Sequence, residues 1–274
     1  MTSQTAHAPV SQSPILLRER TGDVAILTLN RPDARNSLSE GLIKALDAAL
    51  REIHDDAKVR AVVIAATGKA FSAGHDMKEL TARRSDADHG RAYFAEIMAA
   101  SCAMMQAIVH LPKPVIAAVQ GIATAAGCQL VASCDLAIAS EATTFATPGV
   151  DIGLFCSTPM VALSRNIPSK QAMEMLLTGE PISAATARDI GLINRVVPAG
   201  TERDAAIALA EKIARKSAYT VKIGKTAFYR QAEMSLTDAY RYTTEVMTEN
   251  MMARDAEEGI GAFLEKREPK WRDK

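Results

Sequence analysis

Apolar positions along this chain change rhythm several times, and each change marks an element. Residues 15–20 and Val24–Leu29 read as strands joined by a Thr-Gly-Asp turn, and Asn30-Arg-Pro-Asp33 breaks the second. Ser37 and Glu40 have the S-x-x-E spacing of a capping box. Leu42, Ile43, Leu46, Ala49, Leu50 and Ile53 follow at helical intervals, so residues 38–53 are expected to form an amphipathic helix. Ala61–Ala66 is apolar throughout, which suits a strand covered on both faces. The order then returns. A long helix over Arg91–His110 stops at Leu111-Pro-Lys-Pro114, and a strand over Val115–Val119 leads into a small-residue turn at 121–127 and a short helix. Residues 135–139 read as another strand, Phe145 as part of an extended segment, and Thr158-Pro159 as an N-cap and first helical residue.

Strands alternating with helices imply crossover connections and a parallel sheet. Beyond Val197-Pro198 the spacing is helical over residues 201–266, with Thr201 and Ser235 as N-caps. We therefore expect an α/β core over residues 14–200, a helical region over 201–274 and a disordered tail over 1–13. No fixed-period repeat is present.

Charge and composition narrow the function classes. The 32 basic and 32 acidic residues balance, so no net field draws the protein to nucleic acid or an anionic membrane. An aromatic content of 4% leaves few platforms for base stacking. Cys102, Cys128, Cys134 and Cys156 lack C-x-x-C or metal-ligand spacing and read as reduced, mostly buried thiols. The first residues show neither a signal-peptide h-region nor an arginine-rich amphipathic pattern, and no uninterrupted apolar run is long enough for a bilayer. On these grounds a cytoplasmic location is expected.

Three segments in series carry a resemblance. They are Leu29-Asn-Arg-Pro-Asp-Ala-Arg-Asn-Ser-Leu38, then Ala70-Phe-Ser-Ala-Gly-His-Asp-Met-Lys-Glu79, then Lys113-Pro-Val-Ile-Ala-Ala-Val-Gln-Gly121 continuing through Gly127-Cys-Gln-Leu130 to Cys134-Asp135. Each is weak alone. In this order they resemble the crotonase (enoyl-CoA hydratase/isomerase) superfamily over about residues 15–270, and Gly121–Asp135 with Phe145-Ala-Thr-Pro-Gly-Val150 resembles one subgroup of it. The resemblance implies a ClpP-like spiral of βαβ-type turns and a helical C-terminal region that builds homotrimers or dimers of trimers. It also implies an acyl-CoA ligand, with coenzyme A as part of the substrate and no separate cofactor, metal, nucleic acid or membrane partner.

By position in the family, an enolate-stabilising oxyanion hole falls to the backbone N–H groups of His75 and Ala126. A single donor of this kind is worth about two to three orders of magnitude in rate. The family's hydratases use two glutamates for water activation and proton delivery; those positions here hold Gln129 and Gly149. Neither has a usable proton near neutral pH, and each lost acid or base removes about 10²–10⁴-fold. Standard hydratase activity is therefore expected to be weak or absent.

Other residues could take over. Asp151 is a possible substitute carboxylate, or one that caps a turn or faces solvent. Ser157 stands where the dienoyl-CoA isomerase branch places an aspartate. Cys156, near a helix start, is either a nucleophile or an inert buried thiol. The His75 imidazole either serves as acid or base over the thioester or turns outward to pair with Asp76 or solvent. For the coenzyme, the resemblance points to Arg31, Ala34 and Arg35 on the first loop, to Lys78, and to Phe263 with Lys266, a pair that meets a neighbouring subunit's coenzyme. Two functions remain open: an acyl-CoA-processing enzyme, with thioester hydrolysis through a water near Gln129 as one variant, and a non-catalytic acyl-CoA binder.

Overall fold

A computed structural model describes residues 13–274. The chain opens on an antiparallel hairpin, β1 (Leu16–Thr21) and β2 (Val24–Leu29), and continues through α1 (Glu40–Asp55), β3 (Ala61–Ala66), α2 (Met77–Ala82), α3 (Arg91–His110) and β4 (Val115–Val119). Then come β5 (Ile122–Thr124), α4 (Ala126–Ser133), β6 (Leu136–Ser140), β7 (Thr144–Ala146), α5 (Ser157–Asn166), α6 (Ser169–Thr178), β8 (Ile182–Ser183), α7 (Ala184–Asp189) and β9 (Arg195–Val197). Four helices follow: α8 (Glu202–Ala214), α9 (Ala218–Gln231), α10 (Leu236–Met252) and α11 (Arg254–Leu264).

Six strands form one sheet in the order β1-β2-β3-β4-β6-β9, parallel from β2 onward. A smaller sheet, β5-β7-β8, stands beside it. The continuous apolar run of β3 is explained by what covers it. Val62 and Ile64 face a core that includes Leu42, Leu46 and Leu50 of α1 and Met104 and Ile108 of α3. Val63 and Ala65 face the other way, with Ile26, Ile116 and Ile138, and are covered by Ala206 and Ala210 of α8. Helix α8 is thus a layer of the sheet's own packing, although it begins the purely helical part of the chain. Helix α9 is tied to the same body. Lys225 Nζ reaches Asp135 at 2.7 Å and the carbonyls of Ile108 and Lys113, and Tyr229 donates to the other Asp135 oxygen at 2.9 Å.

Some cap assignments differ from the sequence reading. Helix α1 is capped by Ser39, which accepts from the Leu42 amide; the Ser37 hydroxyl is drawn instead to Asp76. Helix α5 starts at Ser157 after Cys156, so Thr158 is inside the helix. Thr201 precedes α8 without a side-chain cap, its hydroxyl donating to the Pro198 carbonyl, whereas Ser235 does cap α10. Among the described residues α3 is long and apolar enough for a membrane span, but Ile97, Ser101, Met104, Met105 and Ile108 are buried in the protein core. The tail expected at the N-terminus lies, apart from its last residue, outside the described residues.

Candidate active site

Three loops meet at one corner of the sheet, and a buried asparagine joins two of them. Asn36 is fully buried in a left-handed conformation (φ 51°), its amide donating to the Thr67 and Ala70 carbonyls while its Oδ1 accepts from the Arg31 N–H. Ser72 Oγ donates to the Asn36 carbonyl, and the Ala73 amide donates to the Arg35 carbonyl. Residues 31–38 are in this way laced to residues 67–74.

The third loop arrives through a bridge to the same segment, and a second bridge adds to the joining of the first two loops. Ser72 pairs with Ala123, and Leu38 pairs with His75. Gly74 adopts φ 88°; a Cβ there would lie 2.9 Å from Ala125 Cβ and 3.3 Å from the Ala126 nitrogen. Gly127 is tighter still, since its Cβ would stand 2.3 Å from the Ser72 carbonyl oxygen. Glycine at both positions is what lets the 72–75 and 124–127 turns touch. Ala125 accommodates the approach at a cost, with φ 49° and ψ −120°, a region that strains any residue with a Cβ.

The contact brings together the two amides singled out from the sequence. Ala126 is the first residue of α4, where N–H groups have no partner inside the helix. Among the described residues, neither its amide nor that of His75 donates to a backbone carbonyl. Two free N–H groups on touching turns can hold one oxygen between them.

The side chains around this corner divide sharply. The His75 ring points inward, Nε2 lying 3.2 Å from Ser101 Oγ on α3, and burial pushes its pKa below the ordinary value. It does not pair with Asp76, which instead caps α2 and takes Arg31 at 2.9 Å. Ser101 was not picked out in the sequence. Its signal was there: a polar residue on the buried stripe of α3 formed by Ile97, Met104, Met105 and Ile108.

Gln129 is three residues after Ala126 and is buried, with its Oε1 lacking any hydrogen-bond donor among the described residues. Gly149 lies on a 3₁₀ turn, Pro148–Ile152. A Cβ there would meet Leu154 O at 2.7 Å and Cys156 Sγ at 2.9 Å, so the thiol fills the space a side chain would need. Burial raises the Cys156 pKa, and that of Cys128 to about 12, with each thiol near enough for Cys156 to add to the Cys128 shift. A thiol held protonated is a poor nucleophile. Asp151 is exposed, its Oδ2 beside Gly179 at the end of α6.

The expected coenzyme residues also separate. Arg31 is committed internally, to Asp76 and to the Ser37 carbonyl and hydroxyl. Arg35 and Lys78 are exposed, Ala34 is half-buried beside them on a 3₁₀ turn, and Phe263 and Lys266 stand exposed at the far end of the chain. Phe263 is 81% exposed.

Comparison with known proteins matches this architecture. The family described as enoyl-CoA hydratase/isomerase matches residues 19–274. Enoyl-CoA hydratase domain-containing protein 3, mitochondrial, of Xenopus laevis is 46% identical over 262 residues, covering 96% of this chain and 87% of that protein. The crystal structure of human enoyl-CoA hydratase domain-containing protein 3 superposes with a TM-score of 0.89 at 45% identity, over 94% of this chain and all of that one. An enoyl-CoA hydratase from Mycobacterium smegmatis gives 0.90 at 50% identity, over 94% and 99%. The subgroup resembled by residues 121–150 is that of the first two. These relatives overturn the expected cytoplasmic location, since the vertebrate proteins are named mitochondrial. Balanced charge describes how a surface meets water, and that is the same on either side of an organelle membrane.

Proposed function

Because this chain belongs to the enoyl-CoA hydratase/isomerase family, we propose that it binds acyl-CoA thioesters with the carbonyl oxygen between the amides of His75 and Ala126. The reading is carried by the seating of Gly74 against the 124–126 turn, which sets two unshared N–H groups side by side. Such preorganised donors stabilise an enolate oxygen without reorganising during the reaction.

Gln129 and Gly149 stand where we read the family's hydratase glutamates to fall, and His75 brings an ionisable group to this corner. Burial keeps its imidazole neutral at pH 7 and so able to accept a proton from the α-carbon, with Ser101 fixing the ring. Arg35 and Lys78 meet the coenzyme phosphates as exposed cations. Arg31 instead holds the loop to α2 through Asp76. The exposed residues of α9, α10 and α11 form the surface on which a homotrimer assembles, with Phe263 and Lys266 reaching a neighbour's coenzyme.

A second reading, a binder without turnover, is favoured by the closure of the Gly149 position by Cys156 and Leu154. One experiment separates the two. Crotonyl-CoA and butyryl-CoA are titrated calorimetrically, and hydration, α-proton exchange and thioester hydrolysis are assayed on wild type and His75→Ala. The enzyme reading expects exchange or turnover that falls about 10²-fold or more in His75→Ala. Binding with no turnover in any assay selects the second reading, and no heat with any thioester rejects both.

A further inference from the structure

Helix α11 turns its small side chains to the protein and its large ones away. Asp255 and Ala262 are buried and Gly259 half-buried along one stripe, whereas Ile260, Phe263 and Leu264 stand exposed. A helix held by apolar packing shows the reverse arrangement. What holds α11 is a strap, residues 267–274, that runs back along its inner face. The Trp271 indole lies over Gly259, where a Cβ would come within 3.1 Å of the ring, and its Nε1 donates to the Arg215 carbonyl at the end of α8. Asp255 takes the Ser217 hydroxyl, and it takes the Arg272 and Asp273 amides at 2.7 and 2.9 Å. Asp273 in turn accepts from the Ala218 amide at the start of α9 and pairs with Arg60 ahead of β3.

Such an attachment opens easily. Pro269 and Trp271 are half-buried, and the other residues of the strap are exposed. Its bonds are to amides, carbonyls, a hydroxyl and surface charges, for which water can substitute at little net loss. Few apolar contacts and exposed hydrogen bonds mark a segment that opens locally, well short of global unfolding. Both joints of α11 are also single residues. Ala253, in extended conformation, alone separates α10 from α11. At the other end Lys266 is left-handed (φ 57°), and there the chain turns back, the Arg267 amide donating to the Ala262 carbonyl. A residue with a Cβ is strained at that φ, and detachment lets it relax.

We propose that residues 267–274 are a detachable strap that sets the place of α11 and, resting on the acyl-CoA reading above, that strap docking and thioester binding strengthen each other. Lys266 is the hinge itself and Phe263 is three residues before it, and these are the two residues assigned above to a coenzyme. Release of the strap uncovers Asp255, relaxes Lys266 and leaves α11 joined through Ala253 alone, so neither residue keeps its place. A coenzyme that holds both residues opposes that release. The coupling is reciprocal: whatever loosens the strap weakens the ligand, and the ligand tightens the strap by the same factor.

The test is hydrogen exchange of the full chain with and without saturating butyryl-CoA, together with the emission of Trp271, the one tryptophan in the sequence. Without ligand the Arg272 and Asp273 amides are expected to exchange about 100-fold or more faster than those of Ala61–Ala66. Trp271 emission should shift to the red at lower urea than the loss of helical ellipticity. Butyryl-CoA is expected to slow strap exchange about fivefold or more. Gly259→Leu, which favours the helix but displaces the indole, should shift the emission without urea and weaken butyryl-CoA about fivefold or more in calorimetry. Lys266→Gly, with no Cβ to strain the hinge, should slow strap exchange about fivefold. Strap exchange as slow as that of the sheet, with coincident urea transitions, overturns the detachable strap. Exchange unmoved by a thioester that binds, or full affinity in a Gly259→Leu protein whose indole has left, overturns the coupling. The wild-type measurements decide even if a variant does not fold. No heat with butyryl-CoA or crotonyl-CoA defeats the acyl-CoA reading and the coupling with it, while exchange without ligand still judges the strap.

Discussion

The half-buried His75 imidazole makes the stability of this protein depend on pH in a definite direction. Burial lowers the His75 pKa in the folded state below the ordinary value. Between that lowered value and about 6.5 the unfolded chain binds the extra proton, so stability falls as pH falls through the window, by up to about 1.4 kcal/mol per pH unit. Urea unfolding of wild type and His75→Ala at several pH values should show this limb in the difference between them; parallel curves would mean that His75 titrates normally. The glycine at 149 makes an opposite kind of statement. Gly149→Glu must move Leu154 or Cys156 and is expected to destabilise by about 2 kcal/mol or more, so Gln129→Glu with Gly149→Glu should not recover hydration. Rapid crotonyl-CoA hydration by a stably folded double variant would show that the pocket had room after all. Ala125, strained at positive φ beside Gly74, should gain about 1 kcal/mol on replacement by glycine, read from the denaturation midpoint.

Among the elements, α9 is held to the sheet by a buried polar clamp. Lys225 and Asp135 are 7% and 15% exposed, and Asp135 also takes Tyr229 and the Val115 amide. Lys225→Met leaves the carboxylate without its cation and is expected to cost about 3–5 kcal/mol. Adding Asp135→Asn should return part of that loss, and a double-mutant cycle in guanidinium measures the coupling. Additive costs would show that the two charges do not depend on each other. The main strands and helices were legible from periodicity because apolar spacing is a local property. Val24–Leu29, Ala61–Ala66, Arg91–His110 and Val115–Val119 run where the pattern places them. The short elements α2, α7, β8 and β9 were not read, each having too few residues for a period to emerge. The cap of α1 was misassigned because Ser37 and Ser39 both precede it, and a distant aspartate decides which of them is free.

Taken whole, the molecule exposes more apolar surface on its last helices than a solitary domain needs. Leu236, Tyr240, Met252, Phe263 and Leu264 are each at least 70% exposed. A face of this kind is expected to be covered by further copies of the chain. Replacing Phe263 and Leu264 by serine should lower the mass found by sedimentation equilibrium; a monomeric wild type would refute the assembly. The sequence by itself determined the main strands and helices, the family, and that a glutamine stands at 129 and a glycine at 149, since each of these is a matter of which residue stands where along the chain. Tertiary structure alone decided that Arg31 is spent on Asp76, that His75 turns in to Ser101, that Cys156 closes the space beside Gly149 and that Gln129 is left unpaired. Those outcomes depend on which distant groups compete for the same donor or the same volume, and that competition exists only once the chain has folded.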